Sequence, residues 1–302
     1  MHEIFVASLL LGLLAGLLAG LFGIGGGLVI VPVLAMLFSA HNFPSGLTLI
    51  MAVATSLATI ILTSTASVWA HHRLGAVVWT QVFRLTPGIM LGAVLGAVLA
   101  KQIPADHLKI ILAVFLCYVG LQMALQTKPK TGLKPFSGLM DFAMAWLIGL
   151  FSAIVGIGGG TLTVPYLVKG QMPMRNAVAV SSACGLPIAL MGTLSYAWLG
   201  RTAAQLPEAS IGYIYLPAFL GVGLASVLTA PIGAWLANRL PAKQLKRYFS
   251  LLLFIMAIKL GYNPIDAYLA APLGGLMHTF YDRLDGLPNA IAGLLVILFP
   301  AH

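Results

Sequence analysis

The pentapeptide Gly-Ile-Gly-Gly-Gly occurs twice, at Gly23–Gly27 and at Gly156–Gly160, each time inside a long uncharged apolar stretch and each time followed by a proline, Pro32 or Pro165. Glycine costs a helix interior about 1 kcal/mol relative to alanine, so four glycines in five residues predict a helix break. A new helix is then expected near Leu28 in the first copy. Lipid cannot hydrogen-bond exposed backbone, so such a break must be buried in protein or line a cavity. Matching breaks in two halves are typical of transporter binding sites.

The composition is that of a membrane protein. Hydrophobic residues make up 60% of the 302 residues and charged residues only 8%, and the mean hydropathy is +1.00, whereas soluble domains carry about 25% charged residues. The net charge of +9 is spread over short loops, which favours a topology signal over a nucleic-acid surface. We therefore predict a multi-pass protein of the inner (plasma) membrane, with the lipid bilayer as partner and no nucleic acid.

Signals for a cofactor, a metal or catalysis are missing from the sequence. The seven histidines show no His-x-x-x-His spacing, and the glycine runs lack the strand context and the following Lys-Ser/Thr of a nucleotide site. No nucleophile or acid/base pair points to a polytopic membrane enzyme. We expect no cofactor, no metal and no enzymatic activity.

Short motifs of the first half recur in the second half at nearly constant spacing. The glycine runs and their prolines recur after 133 residues, Ala52-Val53-Ala54 recurs after 125, and Gly96-Ala97 recurs after 137. The offset changes only across loops, as a duplicated fold requires. The predicted organisation is a first repeat at 1–127, a linker at 128–137, a second repeat at 138–260 and an appendage at 261–302.

The apolar stretches divide each predicted repeat into one broken hairpin and three transmembrane helices. The first repeat is predicted to contain hairpin 4–38 and helices 47–70, 76–100 and 108–127. The second is predicted to contain hairpin 138–168 and helices 177–200, 210–238 and 245–260. The predicted fold class is an all-α polytopic membrane protein.

The distribution of Lys and Arg indicates how each broken segment enters the membrane. If each broken segment crossed as one span, the 16 Lys and Arg residues would divide eight to eight between the two sides. If each segment re-enters as a hairpin, the division is eleven to five, and the basic side, including the linker, faces the cytoplasm. Each half then has an odd number of crossings. This predicts two inverted-topology repeats with both termini on the outer side.

These motifs resemble those of the sulfite exporter TauE/SafE family, transmembrane transporters of organosulfur compounds. The resemblance covers about 1–260 and rests on both Gly-Ile-Gly-Gly-Gly-x4-Pro segments, Ala52–Ser56, Asn176–Ser182 and Leu240–Leu245. It implies export or uptake of a small sulfur oxyanion such as sulfite, sulfoacetate or a related organosulfonate. Met51 stands where the second half has Asn176, and Val180 stands where the first has Thr55, so the halves are not chemically equivalent.

The candidate site is the pair of helix N-termini that follow the glycine runs. Such an end has free N–H groups and about +0.5 of dipole charge, which suits an anion. Nearby hydroxyl and amide groups could donate hydrogen bonds to sulfonate oxygens, although Ser and Thr in membrane helices also serve packing alone. The candidate residues are Gly25, Gly26, Gly27, Thr55, Ser56, Gly158, Gly159, Gly160, Thr161, Asn176, Ser181 and Ser182.

Arg84 is one of few charges inside an apolar segment. It could be a counter-charge or entrance residue for the anion, or it could snorkel to the interface. Asp141, close to the start of hairpin 138–168, is the only acidic residue within either predicted hairpin, so no proton-coupling carboxylate is evident at the site. Export driven by the membrane potential is therefore expected, with an anion channel, proton-coupled uptake and, less favoured, a membrane enzyme as alternatives. A homodimer is left open.

Overall fold

The computed structural model describes residues 2–22, 26–125, 138–237 and 242–269, and helices dominate these ranges. The first half contains α1 (His2–Phe22), α2 (Gly27–Ala40), α3 (Ser45–Arg73), α4 (Trp79–Gln102) and α5 (Ala105–Leu125). The second contains α6 (Gly138–Val155), α7 (Gly160–Lys169), α8 (Met174–Leu199), α9 (Leu216–Ala237) and α10 (Ala242–Leu269). A 3-10 turn (Gly200–Thr202) and two short strands, β1 (Ser210–Ile211) and β2 (Ile214–Tyr215), precede α9.

Six of the described helices are long and apolar enough to cross a membrane. They lie at Glu3–Gly20, Ser45–Arg73, Trp79–Gln102, Ala105–Leu125, Gly138–Val155 and Met174–Thr202. Shorter apolar helices lie at Gly27–Ala40, Leu216–Ala230 and Phe249–Gly261. The chain is an all-α polytopic membrane protein, as predicted.

Both glycine runs separate two helices. The first run lies between α1 and α2, and the second lies between α6 and α7. Gly26 and Gly159 are the N-caps of α2 and α7, and each has φ near +75° in the left-handed region, which glycine adopts without a Cβ penalty. At 14 and 10 residues, the helices that follow the breaks reach about 21 and 15 Å, too short for about 30 Å of hydrocarbon.

The first broken segment returns to the end from which it started. The Glu3 carboxylate, at the start of α1, lies 3.7 Å from Nε2 of His41, just after α2. Turns from the two halves also meet. Arg175 donates a 2.9 Å hydrogen bond to the Leu74 carbonyl, and Lys101 donates a 3.2 Å bond to the Leu199 carbonyl. The α3–α4 turn is therefore beside the start of α8, and the end of α4 is beside the end of α8.

Helices of the two halves pack against each other: α1 packs along α9, and α4 packs along α6. A Cβ on Gly12 would lie 2.6 Å from the Val222 carbonyl oxygen, and a Cβ on Gly88 would lie 2.6 Å from the Phe142 carbonyl oxygen. Helices approach this closely only where small residues face each other. Ala225 lies next to Gly12, and Ala145 lies next to Gly88. Gly12 and Ala145 are related by the 133-residue offset, and Gly88 and Ala225 by the 137-residue offset, so the two crossings are equivalent.

Equivalent helices of the two halves pack on each other in opposite directions. Gly192 of α8 faces Leu57 of α3, with 2.8 Å between an added Cβ and Leu57 Cδ1. Gly185 lies seven residues before Gly192 on α8 and faces Ser64, which lies seven residues after Leu57 on α3. An added Cβ on Gly185 would be 3.0 Å from Ser64 Oγ. Because numbers fall along one helix as they rise along the other, α3 and α8 are antiparallel.

Two predicted helix bounds differ from the structure by more than three residues. The segment predicted as helix 210–238 begins with a strand ribbon that pairs Ser210 with Tyr215 and Ile211 with Ile214. Ala209 and Gly212 have φ of 62° and 56°, which a helix does not accommodate, so α9 starts only at Leu216. The last helix continues to Leu269, beyond the predicted end at 260. The linker 128–137 and the appendage after 269 lie outside the described residues.

Candidate functional site

The two glycine breaks contact each other directly. A Cβ on Gly27, the first residue of α2, would lie 2.7 Å from the Gly156 carbonyl oxygen and 3.0 Å from Ile157 Cα. Backbone meets backbone here, so any side chain on Gly27 would push the two breaks apart. The N-terminus of α2 is thereby held against the segment that leads into α7.

A side chain of the first half holds the second break in place. Ser56 of α3 donates a 2.8 Å hydrogen bond to the Gly156 carbonyl oxygen, and both groups are buried. Gly156 has φ of +78°, and a Cβ there would lie 3.0 Å from Val53 Cα. The predicted site residue Ser56 therefore lies at the break and satisfies its irregular backbone.

The start of α7 is surrounded by buried hydroxyl groups. The position that a Cβ on Gly159 would occupy lies 3.4 Å from Thr163 Oγ1 and 3.5 Å from Ser152 Oγ. The Ser181 hydroxyl on α8 is buried and has no hydrogen-bond partner among the described residues. The same is true of both hydroxyls at Gly159 and of Thr161 in the first turn of α7, and these three lie near one helix end. Such a cluster can donate hydrogen bonds to a ligand that lies against the helix N-terminus.

Ser152 and Thr163 were not predicted from the sequence. Neither belongs to the glycine run or to the recurring Ala-Val-Ala segments, which were chosen because they are alike in both halves. A difference between the two halves could have identified them, since the positions 133 residues earlier hold the apolar residues Ala19 and Ile30.

Two further predicted site residues, Thr55 and Asn176, also have structural hydrogen-bond partners. Thr55 Oγ1 accepts a 3.1 Å hydrogen bond from the Tyr215 backbone N–H, which fixes the strand ribbon before α9. Asn176 donates a 3.0 Å bond to the Ala76 carbonyl in the α3–α4 turn. Because Asn176 follows the C-terminal end of α7, it lies about one helix length, roughly 15 Å, from the break. We therefore leave Asn176 out of the proposed site.

The remaining candidates lie as follows. The Gly158 carbonyl oxygen would be 2.9 Å from a Cβ on Gly185, so α8 crosses the second break closely. Gly160 begins α7 and is buried, and Ser182 is buried on α8. Gly25 lies outside the described residues.

Arg84 forms an ion pair with a buried carboxylate. Its Nε lies 2.6 Å from Oδ2 of Asp141, whose side chain is only 4% exposed. The Tyr166 hydroxyl donates a very short hydrogen bond to the other carboxylate oxygen. The charge of Arg84 is thus balanced by Asp141, and the three side chains join α4 of the first half to α6 and α7 of the second.

Metal-binding chemistry has no candidate cluster within the described ranges. There, no group of three His, Cys, Asp or Glu side chains could hold a metal ion. The chemistry offered at the breaks is that of hydrogen-bond donors and helix dipoles.

Comparison with known proteins places the paired breaks in a family. The sequence model described as sulfite exporter TauE/SafE matches residues 8–260, which include both glycine runs and every helix that forms the site. The chain belongs to the sulfite exporter TauE/SafE family. The family resemblance noted from the motifs is therefore confirmed.

Similar proteins are named as membrane transporters. A probable membrane transporter protein of Haemophilus influenzae is 38% identical over 261 residues, covering 86% of this chain and 99% of the relative. One of Methanocaldococcus jannaschii is 26% identical over 242 residues, covering 79% and 88%. No solved structure matches the chain. This TauE/SafE protein is a membrane transporter.

Proposed function

We propose that this TauE/SafE protein exports a small sulfur-containing oxyanion, such as sulfite, sulfoacetate or a related organosulfonate, which binds where the two glycine breaks meet. The observation that carries the proposal is the contact of Gly27 with Gly156 and Ile157. It brings the start of α2 to the segment leading into α7, so that two positive helix ends share one region. Anions are stabilised at such ends.

The glycine N-caps leave these helix ends available to a ligand. Neither Gly26 nor Gly159 has a side chain that could cap the first N–H groups of its helix. The first N–H groups of a helix have no partner within the helix, so a bound oxyanion would supply the missing acceptors. The unpartnered hydroxyls of Thr161 and Ser181 add donors from side chains.

The arrangement of the helices supports two inverted repeats with re-entrant hairpins. If each broken segment crossed the membrane as one span, the halves would point the same way and α3 would be parallel to α8. The two helices are antiparallel instead. In addition, the Arg175–Leu74 and Lys101–Leu199 hydrogen bonds join turns that the single-span topology would put on opposite sides of the membrane.

The membrane potential can drive export. An anion that leaves a cell with a negative interior gains about 2.3 kcal/mol per charge per 100 mV. This topology puts the linker 128–137 in the cytoplasm of a cell with an inner (plasma) membrane, and both termini outside.

Proton-coupled uptake is the second candidate, and the buried Asp141 favours it. Proton-driven carriers commonly use a carboxylate within the membrane, and Asp141 is buried between Arg84 and Tyr166. Asp141 lies eleven residues before Ser152 on α6, about 16 Å along the helix axis, so its carboxylate is away from the breaks. We therefore place export first.

Flux in proteoliposomes tests the proposal. The purified protein is reconstituted, and movement of labelled sulfite and sulfoacetate is followed at a clamped voltage with and without a proton gradient. The proposal predicts saturable flux that follows the voltage and needs no proton gradient. Flux that requires a proton gradient would favour uptake, flux that does not saturate would favour an anion channel, and movement of neither anion would refute the substrate class.

A further inference from the structure

The two N-cap glycines, Gly26 and Gly159, have similar backbone conformations but different surroundings. At Gly26, an added Cβ would lie 3.4 Å from Ile30 Cδ1 and 3.5 Å from Ala19 Cβ. At Gly159, the corresponding neighbours are Thr163 Oγ1 at 3.4 Å and Ser152 Oγ at 3.5 Å. Each pair of neighbours is related by the 133-residue offset, and both glycines have φ of +75°. The two positions therefore have equivalent neighbours at these two places, which are apolar at Gly26 and carry hydroxyls at Gly159.

The hydroxyl groups next to Gly159 have no acceptor among the described residues. Ser152 and Thr163 are fully buried, and neither hydroxyl has a hydrogen-bond partner among the described residues. Hydroxyls in helices ordinarily bond the carbonyl four residues earlier, as Thr65, Thr86 and Thr229 do in this protein. Burying a hydroxyl without a partner lowers stability. Two such groups against one helix end are better explained by a ligand than by packing.

A third hydroxyl follows the same asymmetry. Thr161 is also buried and unpartnered among the described residues, and the residue 133 positions earlier is Leu28. All three hydroxyl positions near the start of α7 are thus apolar in the first half. A cation would be repelled by a helix N-terminus, so an anion is the ligand that suits this end.

We propose that the second break alone recognises the oxyanion, with Ser152 and Thr163 as the side chains that select it. This inference rests on the proposed function. Their hydroxyls would donate to two oxygens of the anion, and the first N–H groups of α7 would supply the positive end. The first break then contributes close backbone packing and its dipole, without direct recognition.

Ile188 covers this position in the structure. Ile188 belongs to α8, and its Cδ1 lies 2.5 Å from the place that a Cβ on Gly159 would occupy. The end of an isoleucine side chain can rotate, so entry of the anion would require a change in the rotamer of Ile188.

Oxyanion binding by matched variants of the two halves tests the proposal. Sulfite and sulfoacetate are titrated into the full-length protein in lipid nanodiscs by calorimetry. We expect Ser152→Ala with Thr163→Val to raise Kd about tenfold or more, because hydrogen bonds to a charged ligand are lost. The matched first-half changes, Ala19→Ser and Ile30→Val, should alter Kd by less than about twofold.

Thermal unfolding without ligand separates recognition from structural support. The Ser152→Ala and Thr163→Val protein should unfold at or above the wild-type temperature, since it no longer buries unsatisfied hydroxyls. Wild-type Kd in this variant would overturn the inference and leave the proposed function intact. An equal rise in Kd for the first-half variants, or a lowered unfolding temperature in the second-half variant, would also overturn it. Absence of oxyanion binding by the wild type would instead refute the proposed function.

Discussion

The Ser56 hydroxyl donates a 2.8 Å hydrogen bond to the carbonyl oxygen of Gly156, 100 residues further along the chain. The bond joins the third helix of one half to the broken segment of the other. Inside a membrane, no lipid group could replace this donor. The irregular backbone of the second break is therefore supported by the first half.

Replacing Ser56 with alanine should destabilise the protein. The Gly156 carbonyl would be left buried without this donor, which costs about 1–3 kcal/mol. Reversible unfolding in mixed micelles measures the change. The control is Thr65→Val, which removes an exposed bond to the Ile61 carbonyl on the same helix and should cost less than about 0.5 kcal/mol. Equal losses for the two variants would show that the Ser56 bond has no special role.

Removing the Asp141 carboxylate should also destabilise the protein. Breaking a fully buried ion pair costs about 3–5 kcal/mol. Because the Arg84 side chain is 40% exposed, solvent screens part of the interaction, and Asp141→Ala is expected to cost roughly 1–3 kcal/mol. The same unfolding assay measures it. Asp106→Ala, which breaks the exposed pair with Lys109, is the control and should cost less than about 1 kcal/mol.

A double variant distinguishes an ion pair from general packing at this point. Arg84→Met combined with Asp141→Leu leaves no unpaired charge, and apolar replacement of an ion pair is often neutral. We expect it to recover most of the stability lost in Asp141→Ala. A double variant that is less stable than Asp141→Ala would contradict this account of the ion pair.

Cysteine labelling should report the re-entrant topology. In a background without Cys117 and Cys184, a cysteine at Glu3 is expected to react with an impermeant maleimide from outside the cell. Cysteines at Leu74 and Met174, which are exposed and lie in neighbouring turns, should react only from the cytoplasm. Labelling of Leu74→Cys and Met174→Cys from opposite sides would rule out the hairpin arrangement.

The sequence was sufficient to predict the helix breaks and to single out Ser56, which lies at the second break. Four glycines in five residues determine a break whatever surrounds them, and Ser56 was found because it lies in a recurring polar segment. The strand ribbon at 210–215 was missed because uncharged apolar residues suit a strand and a helix equally. Pairing of Ser210 with Tyr215 depends on two left-handed residues that composition does not indicate.

The polar partners within the site depended on tertiary contacts. Thr55 and Asn176 were chosen as hydrogen-bond donors by residue type, and the fold also gives each a structural partner, the Tyr215 backbone N–H for Thr55 and the Ala76 carbonyl for Asn176. Asp141 was visible near a hairpin, but its pairing with Arg84 from the other half required the fold. Single residues of the right chemistry cannot be assigned a role until their distant neighbours are known.

Binding of sulfite and sulfoacetate to the Gly27→Ala variant in nanodiscs tests the central claim most directly. A Cβ on Gly27 would lie 2.7 Å from the Gly156 carbonyl oxygen, whereas no atom lies within 4 Å of a Cβ on Gly46, so Gly46→Ala is the matched control. We predict that the wild type and Gly46→Ala bind at least one of the two anions and that Gly27→Ala binds it at least about tenfold more weakly. Equal binding by all three proteins, or by none, would contradict an oxyanion site where the two breaks meet.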